Sequence, residues 1–183
     1  MCALNGVKGR VLEHGYITFQ EEIGMIRPTY HADAAQIVDL ARDTGVFKPM
    51  EIEVLHELLD IYLNYPQQED YRFITFEQDG QVLGFACYGP TSMTDRTWDL
   101  YWIAVQKSTQ ARGIGGQLLG YVESEIRRRH GRLVMVETSS TPAYDLTRQF
   151  YLKHHYEQAA VIQDFYADGD SLVIFRKRVD RPE

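Results

Sequence analysis

The sequence predicts an α/β (α+β) fold: one mixed sheet with helices on both faces. Three observations lead there. Apolar runs of strand length alternate with runs of three/four helical spacing along most of the chain. Residues 71–77 and 81–88 are β-rich and flank Gln78-Asp79-Gly80, and an Asp-Gly turn between such runs signals an antiparallel hairpin. The run from Trp98 to Val105 is too apolar for a solvated edge, which makes it a central strand.

The elements follow in order. Residues 1–22 read as an N-terminal extension, in which VLEHGYITF either adds a strand or forms a disordered leader, and residues 23–180 as one domain. MIRPTY is a strand. Residues 32–42 form a helix with Ile37, Leu40 and Ala41 on one face and Gly45 past its end. Pro49 suits the first turn of a second helix, in which Ile52, Leu55, Leu58, Leu59 and Leu63 keep helical spacing until Tyr65-Pro66. The hairpin, the polar loop PTSMTDR and the central strand come next. Residues 113–130 form a helix with the stripe Leu118, Leu119, Val122 and Ile126, closed by Arg127 to Arg129 and Gly131. Residues 133–138 are a buried strand and 142–155 a helix. Two last strands, 159–166 and 172–177, join through Asp168-Gly169-Asp170, so the order is β-α-α-β-β-β-α-β-α-β-β.

Composition narrows the function classes. The chain has 183 residues, 44% hydrophobic and 25% charged, which excludes disordered, collagen-like and disulfide-scaffold proteins. No apolar run nears the ~18 residues of a membrane span, and the first twenty residues lack a signal-peptide pattern, so a cytoplasmic protein without membrane attachment is expected. Cys2 and Cys87 form no CxxC motif, and Cys87 alternates with core positions as a small hydrophobe does. A net charge of −7 argues against nucleic acid as a partner. The charge is uneven: residues 1–90 hold 6 basic against 14 acidic side chains, residues 91–183 hold 13 against 12. Such asymmetry reads either as an acidic solvated surface or as a division between ligands of opposite charge.

The segment that carries chemistry runs Asp99-Leu-Tyr-Trp-Ile-Ala-Val105, then Gln110-Ala-Arg112-Gly113-Ile-Gly115-Gly116. A glycine-rich turn opening a helix lets backbone approach a polyanion, with free N–H groups and the helix dipole behind them, so a pyrophosphate is the expected guest. A Walker loop is absent, and a dinucleotide GxGxxG would need glycine where Leu118 stands. With Gln110 ahead of Gly113 and Gly115, the segment resembles the Q/R-x-x-G-x-G/A signature of the GNAT superfamily of N-acetyltransferases. The resemblance spans about residues 24–178 and extends to Glu137-Thr138-Ser139 and to Gln149-Phe150-Tyr151; His155 stands where the family's late helix commonly closes with glycine.

The resemblance implies a mostly antiparallel sheet whose central parallel strand pair is splayed for acetyl-CoA. Backbone groups of Ile103, Ala104 and Val105 would hold the pantetheine. The amides of Gln110, Ala111, Arg112, Gly113, Ile114, Gly115 and Gly116 would hold the pyrophosphate, and Tyr144, Thr147 and Phe150 would contact the cofactor from the late helix. The acceptor is then the amine of a small molecule or a protein amino group. The acidic first half fits a cationic one such as a polyamine, an aminoglycoside or a lysine side chain. A homodimer is left open.

Amine acetylation asks for two further groups. Exposing the lone pair of an amine with pKa near ~10.4 costs about 4.6 kcal/mol at pH 7, so a base or a water relay must take that proton. The departing thiolate needs a donor, and tyrosine stays protonated at pH 7. By resemblance the donor is Tyr151, and the base is Asp99, Glu137 or water. His154 and His155 are consecutive and diverge on a helix, so no metal is expected. A non-catalytic acyl-CoA-binding or sensor domain of the same fold is the alternative, and it would need neither donor nor base.

Overall fold

The computed structural model describes residues 9–11, 17–19 and 24–180. Gly9–Val11 and Ile17–Phe19 pair antiparallel as a small sheet of their own. The rest of the expected extension lies outside the described residues.

The main sheet has seven strands: β1 Met25–Pro28, β2 Arg72–Gln78, β3 Gln81–Pro90, β4 Thr97–Val105, β5 Leu133–Ser139, β6 Glu157–Ala167 and β7 Asp170–Arg178. They hydrogen-bond in the order β1-β2-β3-β4-β5-β7-β6, all antiparallel except β4 with β5. The helices are α1 Ala34–Thr44, α2 Pro49–Asn64, α3 Ile114–Arg128 and α4 Asp145–Lys153. The expected fold class and element order are both present.

Two hydrophobic clusters show that both faces of the sheet are covered. Ile37, Leu55 and Leu59 of α1 and α2 pack with Phe73, Phe85 and Cys87, while Leu118, Val122 and Ile126 of α3 and Tyr151 of α4 pack with Val134, Val136 and Phe175. The stripe read on α3 is fully buried. Side chains of this kind contribute about 1.5–3 kcal/mol each on burial, and truncating one to alanine costs about 2–5 kcal/mol.

Local chemistry sets the boundaries. Asp79 and Gly80 both take positive φ, 56° and 76°, so the β2–β3 connection is the tight hairpin turn that Asp-Gly favours. The helix read as 113–130 is shorter at both ends, because Gly113 (φ 75°) and His130 (φ 60°) leave the helical region. The helix read as 142–155 divides: Pro142–Tyr144 is a separate 3-10 turn, and α4 starts at Asp145. His155, at φ 64°, holds the left-handed conformation that explains why glycine suits this position.

Candidate active site

A fork in the sheet builds the site. Parallel β4 and β5 pair only over Thr97–Leu133, Trp98–Val134 and Asp99–Met135. Beyond Asp99, β4 stays bonded to β3 as far as Val105–Gly84, and β5 stays bonded to β7 as far as Ser139–Leu172. The two strands therefore diverge while each keeps its outer neighbour. The cause lies in the β3–β4 register, which steps from Cys87–Trp102 to Tyr88–Leu100 and leaves Tyr101 as an extra residue. Such a bulge bends its strand and increases local twist.

A cleft of about 740 Å³ fills the fork. Strand alternation, broken by the bulge at Tyr101, divides its lining. Ile103 and Val105 of β4 share the α3–α4 face with Thr138, Thr147 and Tyr151, whereas Tyr101, Trp102 and Glu137 turn toward α1 and α2, where the segment 46–51 and Tyr166 complete the wall.

On the first side, the Tyr151 ring lies against Phe150, Tyr156 and Phe175 at 5.3, 5.4 and 5.8 Å between centroids, and it lines the cleft. Burial pushes its hydroxyl above the ordinary tyrosine range, so it is protonated at neutral pH. Tyr144 and Thr147 line the same wall, and the Tyr144 hydroxyl, pushed up to about 12 chiefly by burial, donates to the Val46 carbonyl at 3.2 Å. The Thr138 hydroxyl is buried without a hydrogen-bond partner among the described residues and also lines the cleft.

On the second side, Glu137 faces the cleft, and burial first, then the Asp99 charge, raise its carboxyl above the usual glutamate range. Asp99 sits at the crotch of the fork, where the Thr91 hydroxyl donates to its Oδ2 at 2.7 Å; burial raises its pKa and that bond lowers it. Asp99 is not among the residues lining the cleft, so of the two carboxylates read from sequence Glu137 is the one exposed to its interior.

The glycine turn is a 3-10 segment, Lys107–Arg112, leading through left-handed Gly113 into α3. The amides of Ile114, Gly115 and Gly116 precede the first helical bond, Gln117 N–H to Gly113 C=O, and no side chain caps them. Gln110 lines the cleft and its Nε2 reaches the Val105 carbonyl at 3.4 Å. The Ile114 side chain is core, so only its backbone is available. The three glycines have different surroundings. Gly113 faces open space at a φ that favours glycine. A Cβ at Gly115 would touch Phe150 at 3.4 Å and one at Gly116 would meet His154 at 3.0 Å, so these two admit α4. Phe150 packs there, outside the cleft lining.

Cys87 is buried, and its thiol pKa is raised well above normal by burial, which leaves no nucleophile at that position. Among the described residues no cluster of three His, Cys, Asp or Glu side chains is placed to hold a metal, and no helix is long and apolar enough to cross a membrane.

The acetyltransferase (GNAT) domain family matches residues 69–158, which contain β2 to β5 and both helices beside the fork. A solved structure of a protein assigned to the GNAT family in Desulfovibrio desulfuricans is 37% identical, with a TM-score of 0.83 over 86% of this chain and 99% of that one. The chain belongs to the GNAT family. More distant GNAT-fold neighbours include the ribosomal-protein-S18-alanine N-acetyltransferase of Escherichia coli, 16% identical, with a TM-score of 0.71 over 88% of this chain and 97% of that one. An aminoglycoside 6'-N-acetyltransferase complexed with coenzyme A is 19% identical, with a TM-score of 0.69 over 87% and 99%. No curated protein matches.

The α1–α2 side of this GNAT cleft escaped the sequence reading. Tyr101, Trp102, Tyr166 and the segment 46–51 line it, and none belongs to the glycine motif. Lys48 pairs with Asp170 at 3.3 Å and lies over the Tyr166 ring at 5.6 Å. Among the described carboxylates of residues 1–90, Glu51 alone lines the cleft.

Proposed function

We propose that the protein is an acetyl-CoA-dependent N-acetyltransferase that passes an acetyl group directly to a primary amine in a ternary complex. The fork between β4 and β5 supports this reading most strongly, because it opens to both faces of the sheet with a protonated tyrosine on one side and a carboxylate on the other. The cleft fits the cofactor on two counts. Divergence leaves β4 amide and carbonyl groups turned into the fork, suited to an amide-bearing chain, and the unpartnered Thr138 hydroxyl waits for a hydrogen bond there. The uncapped start of α3, with exposed Arg112 before it, suits the pyrophosphate.

Each residue then has a defined task. Backbone from Ile103 to Val105 orients the thioester, and Glu137, directly or through water, takes the proton of the incoming ammonium. The nitrogen lone pair forms the new N–C bond, the C–S bond breaks, Tyr151 gives its proton to the departing sulfur, and the second proton shed by the nitrogen passes through water to restore the Tyr151 hydroxyl. Asp99 keeps Glu137 basic through its nearby charge. Excluding water from the buried Tyr151 ring keeps that proton on oxygen until sulfur carries charge.

Mixing the protein, acetyl-CoA and a panel of amines tests this. Free thiol and acetylated amine should appear in equal amounts, with initial-rate lines that intersect when both substrates are varied. Tight acetyl-CoA binding with no turnover on any amine would favour the sensor domain instead.

A further inference from the structure

The acceptor half of the cleft has one carboxylate to spare and several aromatic walls. The Glu137 carboxylate accepts no hydrogen bond and joins no ion pair among the described residues. The other carboxylates nearby are engaged. Glu51 accepts the Lys48 amide at 2.6 Å as part of the start of α2, and Asp170 accepts from the Ser139 hydroxyl at 2.5 Å and pairs with Lys48. The large apolar side chains beside them are Phe47, Met50, Tyr101, Trp102 and Tyr166.

From this inventory, and resting on the acetyltransferase reading above, we infer that the acceptor is a small primary monoamine with a flat apolar body. Its ammonium sits at Glu137 and its body lies among Tyr101, Trp102 and Tyr166. An aromatic face attracts a cation and buries an apolar body, so one charged end and one flat end match this wall. A polycation finds the opposite. Its second ammonium meets carboxylates already bonded, and the Lys48 ammonium stands at the wall between them.

Size points the same way. Three contacts stitch the segment 46–51 across the cleft: Val46 with Tyr144, Lys48 with Asp170, and Lys48 over Tyr166. They wall the acceptor half, and a polypeptide chain would need them opened. The acidity of the first half of the sequence therefore does not select the acceptor. Asp39, Asp43, Glu53, Glu57 and Asp60 are exposed on α1 and α2, outside the cleft lining.

The test compares 2-phenylethylamine and tryptamine with spermidine, kanamycin and a peptide with an alanine N-terminus, each with acetyl-CoA. The aromatic monoamines should exceed the polycations and the peptide in kcat/KM by at least roughly tenfold. Tyr166→Ala and Tyr101→Ala should each raise the KM for 2-phenylethylamine by roughly tenfold while acetyl-CoA affinity, read by calorimetry, stays the same. Preference for spermidine, kanamycin or the peptide overturns the inference. So does an unchanged KM in both variants, or failure of every monoamine to bind the CoA-saturated protein. A wild-type protein that does not bind acetyl-CoA fails one step earlier: it removes the acetyltransferase reading, and the acceptor assignment with it.

Discussion

The Tyr144 hydroxyl donates to the Val46 carbonyl at 3.2 Å, joining the turn before α4 to the connection between α1 and α2. Those helices cover opposite faces of the sheet, so the bond spans the open end of the fork where β4 and β5 no longer meet. In the proposed reaction a cofactor approaching from one face and an acceptor from the other would converge beneath it.

Gly113 offers a way to remove phosphate binding while keeping the fold. A Cβ there meets nothing within 4 Å, and its φ of 75° costs a side chain about 1–2 kcal/mol, least for Asp or Asn. An acid at a helix start interacts favourably with the dipole, which offsets part of that cost. Gly113→Asp should therefore stay folded yet repel the pyrophosphate, losing the rise in melting temperature that acetyl-CoA gives the parent. An equal rise in both proteins would move the phosphates away from α3. Gly115 and Gly116 serve less well, because their substitution also disturbs Phe150 and His154.

Thr138→Val should move two readouts in opposite directions. Removing a buried hydroxyl with no partner relieves a desolvation cost, so the ligand-free protein should gain about 1 kcal/mol of stability. Acetyl-CoA affinity should fall by about threefold to tenfold if that hydroxyl bonds the cofactor. Denaturant melts with and without acetyl-CoA read both numbers, and a loss in both would make Thr138 purely structural.

Glu137 carries a pH signature. Its folded pKa is raised, so between the ordinary glutamate value and the raised one the folded state holds more protons than the unfolded state, and stability falls as pH rises through that window. Glu137→Gln should abolish this slope, leaving the variant equal to the parent below that window and more stable above it. Turnover should behave inversely: the parent's rate climbs as Glu137 ionises, while the variant's rate is low and loses that limb. A pH–rate profile shared by both proteins would give the proton to water.

The parts of this site written in local sequence were legible, and those made by strand registration were not. Gln110, Gly113 and Gly115 lie within six residues and announce an uncapped helix start whatever surrounds them. The stripe on α3 and the Asp79-Gly80 turn are equally local, and each stands where its spacing put it. Tyr101 is different. It leaves the β3 ladder because Tyr88 pairs with Leu100, a property of two strands together that no window around Tyr101 contains. Lys48 and Tyr166 are 118 residues apart in sequence, and only the folded sheet brings them to one wall. The acidic side chains exposed on α1 and α2 meet the same limit, since a charge count does not say which face a helix turns to solvent.

Tyr151→Phe removes one oxygen from a ring held by Phe150, Tyr156 and Phe175, so packing and acetyl-CoA affinity should survive. General acid catalysis contributes typically ~10² to 10⁴ in rate, and kcat should fall by about that factor. A loss below about threefold would make Tyr151 a packing residue and assign the proton to water or another hydroxyl.

The most direct measurement is a crystal structure with CoA bound. Its pantetheine should lie in the fork between Ile103–Val105 and β5, with the sulfur within hydrogen-bond distance of the Tyr151 hydroxyl and the pyrophosphate on the amides at the start of α3. CoA bound instead in the separate hollow lined by Arg132, His155, Arg176 and Arg178, with the fork empty, would contradict delivery of the acetyl group through the sheet.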